Sequence, residues 1–164
     1  MKNRFFPLLF GSSAPGSLFF DVTYLLFRLY CGVSIALGAG LSKVFHKINE
    51  DGPEDASNLA FGVGDWFISQ VAEIGFNWPT PGFWAYVAVY GEFIGGIFVA
   101  LGFLTRISAA QLAFQFFIVS FVWYNEPEFF GMYYQQLIFW SFIVITGIGG
   151  SRFSLDQLIL SRKS

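Results

Sequence analysis

Four continuous apolar stretches dominate the pattern of hydrophobic and polar positions along the 164-residue chain. They lie near residues 20–41, 84–104, 107–124 and 132–148. Each approaches the length of about 20 apolar residues that an α-helix needs to cross the hydrocarbon core of a bilayer. Because the stretches are continuous rather than alternating, they favour helices over the strands of a β-barrel. The pattern predicts an all-α integral membrane four-helix bundle, as a single transmembrane domain over residues 1–164.

The interval between the first two stretches, residues 42–83, predicts an extended extracytoplasmic loop after the first span. Within this loop, one side of a short predicted helix carries four apolar residues. They are Trp66, Phe67, Val71 and Ile74. Such an amphipathic helix would lie on the bundle or in the headgroup layer of the membrane.

Composition narrows the class of protein. Hydrophobic residues make up 55% of the chain and charged residues 12%, whereas a soluble domain carries about a quarter charged residues. This excludes a disordered chain and a soluble nucleic-acid binder, and it makes the lipid bilayer the first expected partner. The only cysteine is Cys31 and the only histidine is His46, so neither an internal disulfide nor a bis-histidine haem site is available. We expect no metal site and no intrinsic cofactor.

The distribution of Lys and Arg predicts the orientation of the chain. With the N-terminus inside, six basic residues flank the spans on the inner side and two on the outer side. The inner ones are Lys2, Arg4, Arg106, Arg152, Arg162 and Lys163, and the outer ones are Lys43 and Lys47. Because cytoplasmic flanks carry the excess of basic residues, we expect a multi-pass inner-membrane protein with both termini in the cytoplasm.

Small residues mark the faces on which the spans are expected to pack. Gly32 and Gly40 lie on one face of the first span, and Gly91, Gly95 and Gly96 lie close together on the second. Helices associate in lipid through close backbone contact at such residues. The glycines therefore predict the interior of the bundle.

After the polar start of the first stretch at Asp21, two charged residues interrupt the apolar stretches, Arg28 in the first and Glu92 in the second. A charge near the bilayer centre costs about 2.5–3.5 kcal/mol on insertion scales. Polar amides accompany these charges in the third and fourth spans. They are Gln111, Gln115 and Gln136. The five side chains are candidates for one intramembrane polar site.

Two interpretations of this site remain open. Arg28 and Glu92 form a structural pair that fixes helix register, a known use of buried charge, and this is the favoured interpretation. Alternatively, the polar set binds the head group of a quinone, which needs hydrogen-bond donors at its carbonyls and a proton route on reduction. Arg28 and Glu92 lie at depths several ångströms apart, so direct pairing is not secured by their positions.

Three segments of the sequence together resemble a known family. The first span carries Arg28-Leu29, Gly32, Gly40 and Lys43. The second carries Gly91-Glu92-Phe93-Ile94-Gly95-Gly96 and, after it, Leu101-Gly102-Phe103-Leu104-Thr105-Arg106. The fourth is followed by Gly149-Gly150-Ser151-Arg152-Phe153-Ser154-Leu155-Asp156. These motifs resemble the DoxX family of small four-span membrane proteins, in which Arg28, Glu92 and Arg106 match the charged motif positions.

The resemblance implies a role in membrane redox chemistry. The family takes its name from a subunit of an archaeal thiosulfate:quinone oxidoreductase, and other members are reported in membrane oxidoreductase complexes. It implies a small subunit of such a complex, with other protein subunits as partners and quinone as the small molecule contacted. The alternative is a non-catalytic interaction or assembly subunit of a larger membrane complex. A small-solute or proton conduit that uses Glu92 is a third class, although no inverted repeat is visible in the sequence.

Overall fold

The computed structural model describes residues 16–48, 59–123 and 133–162. The first helix, α1, runs over Leu18–Val44 and is π-helical at Ser34–Gly40. A short antiparallel hairpin and five further helices follow. They are β1 (Phe45–Lys47), β2 (Leu59–Phe61), α2 (Asp65–Glu73), α3 (Pro81–Leu101), α4 (Thr105–Phe121), α5 (Tyr133–Ile148) and α6 (Leu155–Ser161). The described residues do not include the middle of the predicted outer loop, the predicted end of the third span near residue 124 or the predicted start of the fourth span near residue 132. They also do not include the basic residues Lys2, Arg4 and Lys163.

The four long helices coincide with the four predicted apolar stretches. Two of them, α1 with 27 residues and α3 with 21, are long and apolar enough to cross a membrane, and α5 contains a shorter apolar helix. Helix α1 packs along α3, α3 along α4, and α4 along α5. We call the end that carries the hairpin and α2 the hairpin end, and the end that carries the α3–α4 turn and α6 the turn end.

Helix α3 has sharply defined ends. Its first turn is capped by Thr80, whose Oγ1 accepts a hydrogen bond from the backbone N–H of Phe83 at 3.2 Å, and Pro81 occupies the first helical position. Proline suits that position because its missing N–H would have no partner there. The helix stops at Gly102, which adopts φ +70°. A left-handed residue at this place ends a helix at little cost when it is glycine.

The backbones of α1 and α3 touch at their small residues. A methyl group on Gly32 would lie 2.5 Å from the carbonyl oxygen of Gly96 and 2.6 Å from the amide nitrogen of Ala100. A methyl group on Gly40 would lie 2.7 Å from Cα of Phe93. These contacts leave no room for any side chain, so they fix the register between the two antiparallel helices.

The π-helical segment keeps the contact face of α1 aligned with α3. Gly32, Ala36, Gly40 and Val44 are all buried and recur every four residues. In an α-helix with 3.6 residues per turn, a spacing of four drifts around the axis by about 40° at each step. The wider turn of a π-helix reduces that drift. The face therefore stays on α3 over the whole length of the interface.

The second set of glycines faces α4. A methyl group on Gly91 would lie 2.5 Å from Nε2 of Gln111, and one on Gly95 would lie 2.8 Å from Oε1 of the same side chain. An apolar cluster lies between α1, α3, α4 and α5. It contains Tyr24, Ile35, Val99, Ala109, Leu112, Ala113, Phe116, Phe142 and Ile145.

At the turn end, the chain after α5 folds back and closes the α3–α4 turn. The fully buried Asp156 carboxylate accepts hydrogen bonds from the backbone N–H groups of Leu104 and Thr105, at 2.7 and 2.9 Å, and from the Thr105 hydroxyl at 2.7 Å. Its own N–H donates to the carbonyl of Gly102 at 2.9 Å. The first N–H groups of a helix have no partner inside it, so a carboxylate from a distant segment caps α4.

The close approach of α1 and α3 generates a first prediction. Replacing Gly32 with Ala should lower the free energy of unfolding by about 1–3 kcal/mol, because overpacking forces the two backbones apart. The measurement is thermal denaturation of the purified protein in mild detergent. Gly38 lies on the same helix with open space around it, so Gly38→Ala is the matched control. Equal melting temperatures for the two variants would contradict the proposed contact.

The capping of α4 generates a second prediction. Asp156→Ala should destabilise the protein by about 1–3 kcal/mol, because two buried backbone donors and one hydroxyl lose their acceptor. Asp156→Asn retains one acceptor oxygen and should recover part of that loss. The exposed neighbour Gln157 provides the control Gln157→Ala. We expect the melting temperatures in detergent to fall in the order wild type, Gln157→Ala, Asp156→Asn, Asp156→Ala. A melting temperature for Asp156→Ala as high as that of Gln157→Ala would show that the cap contributes nothing.

Candidate functional site

A cavity of about 310 Å³ lies at the hairpin end, between α2, α3, α4 and the end of α1. Its volume falls at the lower end of the range of about 300–1,000 Å³ typical of small-molecule sites. Aromatic side chains form much of its wall. They are Trp66, Phe67, Phe76, Trp84, Phe114 and Trp123. Mostly apolar walls with a few polar groups are characteristic of sites for organic ligands.

The polar floor of the cavity contains an ion pair. Nζ of Lys43 lies 2.7 Å from Oε2 and 3.0 Å from Oε1 of Glu92. The Glu92 side chain is 5% exposed and the Lys43 side chain 26% exposed, so the pair is buried on its carboxylate side and open on its ammonium side. Nζ of Lys43 also lies 5.2 Å from the centre of the Phe67 ring, within the range of a cation–π contact.

Two glutamines of α4 complete the floor. Gln115 donates from Nε2 to the backbone carbonyl of Ala88 at 3.0 Å, and its Oε1 has no hydrogen-bond partner among the described residues. Gln111 lies against Gly91 and Gly95, and its Nε2 likewise has no partner in that part of the chain. Both atoms have almost no accessible surface, so a ligand group or water would reach them once the amides turn toward the cavity, which would remove a cost of about 1–3 kcal/mol per buried unpaired group.

Helix α2 covers the cavity. Its buried residues Phe67 and Val71 pack into an apolar cluster with Val89 of α3, and Phe67 stacks on Trp123 with ring centres 5.7 Å apart. All four apolar residues predicted for one side of this helix line the cavity. The amphipathic segment of the predicted loop is thus part of the site.

The structure places Arg28 far from Glu92. Arg28 is fully buried at the turn end, where its Nη2 donates to the carbonyl of Phe153 at 2.8 Å and its Nη1 lies against Gly102. Gly102 follows Glu92 by ten residues on α3, which corresponds to about 15 Å along a helix axis. The possible pairing of Arg28 with Glu92 is therefore wrong, because the register set by the glycine contacts puts the two residues at different heights.

The structure brings together only part of the predicted polar set. Glu92, Gln111 and Gln115 meet at the cavity, whereas Arg28 lies at the turn end and Gln136 lies on α5 outside the cavity lining. Arg28 belongs instead to a turn-end cluster with Tyr24, whose hydroxyl donates to the carbonyl of Gly149 at 2.9 Å. Those bonds tie α1 to the segment after α5, which is a structural role.

Sequence reasoning missed Lys43 as a site residue. It was counted among the charges of the outer loop, because the apolar stretch ends near residue 41. The structure continues α1 to Val44 and thereby carries Lys43 to the cavity floor. The sequence does contain an indication that Lys43 lies on the packed face of α1. Lys43 follows the small residue Gly40 by three positions, a spacing that returns to the same helix face.

Among the described residues, the floor offers donors, acceptors and one ionisable acid in a neutral arrangement. Nζ of Lys43 and Nε2 of Gln111 are donors, whereas the Glu92 carboxylate and Oε1 of Gln115 are acceptors. The charges of Lys43 and Glu92 cancel, so the floor suits a neutral polar group better than an anion or a cation. A carboxylate beside such a group is also able to exchange a proton with it.

Comparison with known families identifies the chain. A family model described as DoxX matches residues 23–125, which is more than half of the sequence and includes every residue that lines the cavity. No curated protein and no solved structure matches the chain significantly. The fold, the position of the charged motif and this match lead to one conclusion: the chain belongs to the DoxX family of membrane proteins.

Proposed function

We propose that this DoxX-family protein binds the head group of a lipid-soluble quinone in the hairpin-end cavity, as a small subunit of a membrane oxidoreductase complex. The observation that carries the proposal is the floor of the cavity. There the Lys43–Glu92 pair and the unpaired Nε2 of Gln111 lie beneath an aromatic wall. Other protein subunits of the complex supply the electrons.

We further propose that all four long helices span the inner membrane, with both termini in the cytoplasm. Helices α4 and α5 have 17 and 16 residues, or about 24–26 Å at 1.5 Å per residue. Large apolar side chains on all four helices are exposed and would contact lipid. Examples are Leu26 and Leu37, Ile94 and Leu101, Phe114 and Phe117, and Leu137 and Val144. This orientation places the hairpin end and the cavity on the extracytoplasmic side.

Two hydroxyl groups on α5 bond to carbonyls of their own helix, as expected in hydrocarbon surroundings. Ser141 donates to the carbonyl of Leu137, and Thr146 to that of Phe142, both at 2.7 Å. Lipid offers no hydrogen bonds, so polar groups within a span need a partner in the protein. Bonding to the carbonyl four residues earlier provides that partner.

A quinone head group fits the chemistry of the cavity. Its ring is flat and apolar at its faces, which suits walls formed by Phe67, Trp84 and Trp123. Its two carbonyl oxygens accept hydrogen bonds and have no proton to donate. Lys43 and Gln111 would donate to them, and the head group would thereby give Nε2 of Gln111 the partner that it lacks among the described residues.

In this proposal, residues of the chain bind and orient the quinone head group and transfer protons to and from it. When bound, a quinone would supply two-electron, two-proton redox chemistry, with the electrons coming from the other subunits. Glu92 is the ionisable acid of the floor, and Lys43 holds its carboxylate in place through two contacts. Lys43 is 26% exposed, so its ammonium group connects the buried acid with the surroundings at the hairpin end. In this arrangement Glu92 exchanges protons with the head group, and Lys43 positions Glu92.

An assembly subunit without quinone is the second candidate function, and one observation favours it. Three large side chains at the hairpin end are strongly exposed, with Phe61 at 71%, Trp66 at 54% and Trp78 at 85%. Aromatic residues are enriched at protein interfaces as well as at membrane interfaces. This surface would dock another subunit whether or not the cavity holds a ligand.

The unpaired amide of the floor generates a third prediction. Gln111→Leu should weaken binding of a short-chain, water-soluble quinone by about 3- to 10-fold, because one hydrogen bond contributes about 0.5–1.5 kcal/mol. Binding is measured in detergent by quenching of tryptophan fluorescence, since three tryptophans line the cavity. Gln136→Leu makes the same replacement on α5, outside the cavity lining, and should bind as the wild type does.

Purification from native membranes in mild detergent separates the two candidate functions. Quinone in the extract, together with a redox protein at fixed ratio, is the result expected of the quinone-binding subunit. A fixed-ratio partner with no redox group, no extracted quinone and equal quenching in Gln111→Leu and wild type would support the assembly subunit instead.

A further inference from the structure

We propose that the cavity opens sideways into the membrane between α3 and α4, and that the isoprenoid tail of the quinone leaves past Val87 and Phe114. This inference rests on the proposed function, because it concerns the tail of the same ligand. It assigns a second part of the binding site, distinct from the polar floor, which selects for ligands that carry a long apolar tail.

The lining of the cavity carries the argument. Val87 on α3 and Phe114 on α4 both line the cavity, yet they are 42% and 57% exposed on the outer surface of their helices. A residue that faces a cavity and the surface at once marks the edge of an opening. Since α3 and α4 are neighbours, the two residues border one opening on the side of the helices that would face lipid.

The polar floor lies directly behind this opening. On α4, Phe114 follows Gln111 by three residues, and Ile118 follows Phe114 by four, so all three share one helix face. The side chain of Gln115 reaches across from this region to the carbonyl of Ala88, next to Val87 on α3. A head group that meets Gln111 would therefore have an apolar path along Phe114 and Ile118 to the surface.

The other boundaries of the cavity are less suited to a tail. On the α2 side, Phe67 and Val71 are 7% and 4% exposed, and Phe67 stacks on Trp123. Trp66 also lines the cavity and is 54% exposed, but α2 belongs to the extramembranous segment, where an emerging tail would meet the interface rather than hydrocarbon. Each CH₂ group kept out of water gains about 0.8 kcal/mol, so the exit between α3 and α4 is preferred.

Neutrality of the floor limits the class of ligand that enters by this route. Phospholipids also have apolar tails, but the Glu92 carboxylate would repel an anionic head group. The positive charge of Lys43 is already balanced by Glu92 and would not attract it. A quinone has a neutral head and an uninterrupted hydrocarbon tail. The opening and the floor together thus favour a neutral, carbonyl-bearing lipid over an anionic one.

Photolabelling tests the exit directly in the unmodified protein. The full chain is placed in nanodiscs of phosphatidylethanolamine and phosphatidylglycerol with a quinone that carries a diazirine on the first isoprene unit of its tail. After irradiation, peptide mass spectrometry locates the label. We expect it on the peptides that contain Val87 or Phe114. Label confined to α2 would overturn the proposed exit.

A pair of matched variants tests the same point by affinity. Val87→Trp should block the opening and weaken binding of the long-tail quinone by about tenfold, with binding of a tail-less quinone changed by less than about twofold. Ile94→Trp is the control, because Ile94 lies two turns further along the same face of α3, is exposed, and does not line the cavity. It should bind both quinones as the wild type does.

The outcomes distinguish this inference from the function on which it rests. Equal weakening of both quinones by Val87→Trp, or no weakening of either, would overturn the sideways exit and leave head-group binding in place. Failure of the wild type to bind the tail-less quinone and the long-tail quinone alike would overturn the proposed function, and the exit with it.

Discussion

Backbone contact between α1 and α3 determines where two of the buried charges among the described residues lie, Arg28 and Glu92. Gly32 and Gly96 touch so closely that neither tolerates a methyl group. Gly40 lies equally close to the backbone of Phe93 and tolerates none either. The two helices therefore have one register. In that register Lys43 meets Glu92 at the hairpin end, and Arg28 meets Gly102 at the turn end. A slip by one helical turn, about 5.4 Å, would separate both sets of partners.

The charged residues at the turn end and at the hairpin end differ in their burial and in their hydrogen-bond partners. At the turn end, Arg28 is fully buried, and Asp156 is occupied by three donors from Leu104 and Thr105. These bonds close the α3–α4 turn and hold the chain after α5. At the hairpin end, the Lys43–Glu92 pair borders a cavity and remains partly exposed. The turn end is thus closed by hydrogen bonds between segments, whereas the ion pair at the hairpin end borders a space that a ligand can enter.

Periodicity was sufficient to predict the long helices, their small-residue faces and the amphipathic α2, because each depends on spacing along one segment. Partner choice was not predictable in this way. The depths of Arg28 and Glu92 in their spans predict that the two residues lie at different heights. Only the register of α1 on α3 shows that Lys43 is the residue of α1 that lies level with Glu92. The α-helical turn Leu41–Val44, which follows the π-helical segment at Ser34–Gly40, continues α1 beyond the apolar stretch and brings Lys43 to Glu92. The apolar stretch ends near residue 41, so the hydrophobic pattern alone assigns Lys43 to the loop, although its spacing from Gly40 places it on the packed face of α1.

The part of the chain that matches the DoxX family, residues 23–125, contains the whole cavity. Helix α5 lies outside this part and packs on the opposite face of α4, where Phe116 stacks on Phe142 with ring centres 6.0 Å apart. Helix α5 thus supports α4 without lining the site. Under the proposed function, this chain binds and orients the quinone and a partner subunit supplies the electrons, since binding and orientation are what a protein contributes to cofactor chemistry. In this floor, two hydrogen bonds join Lys43 of α1 to Glu92 of α3, and Gln111 of α4 lies against Gly91 and Gly95 of α3, between helices whose register is already fixed.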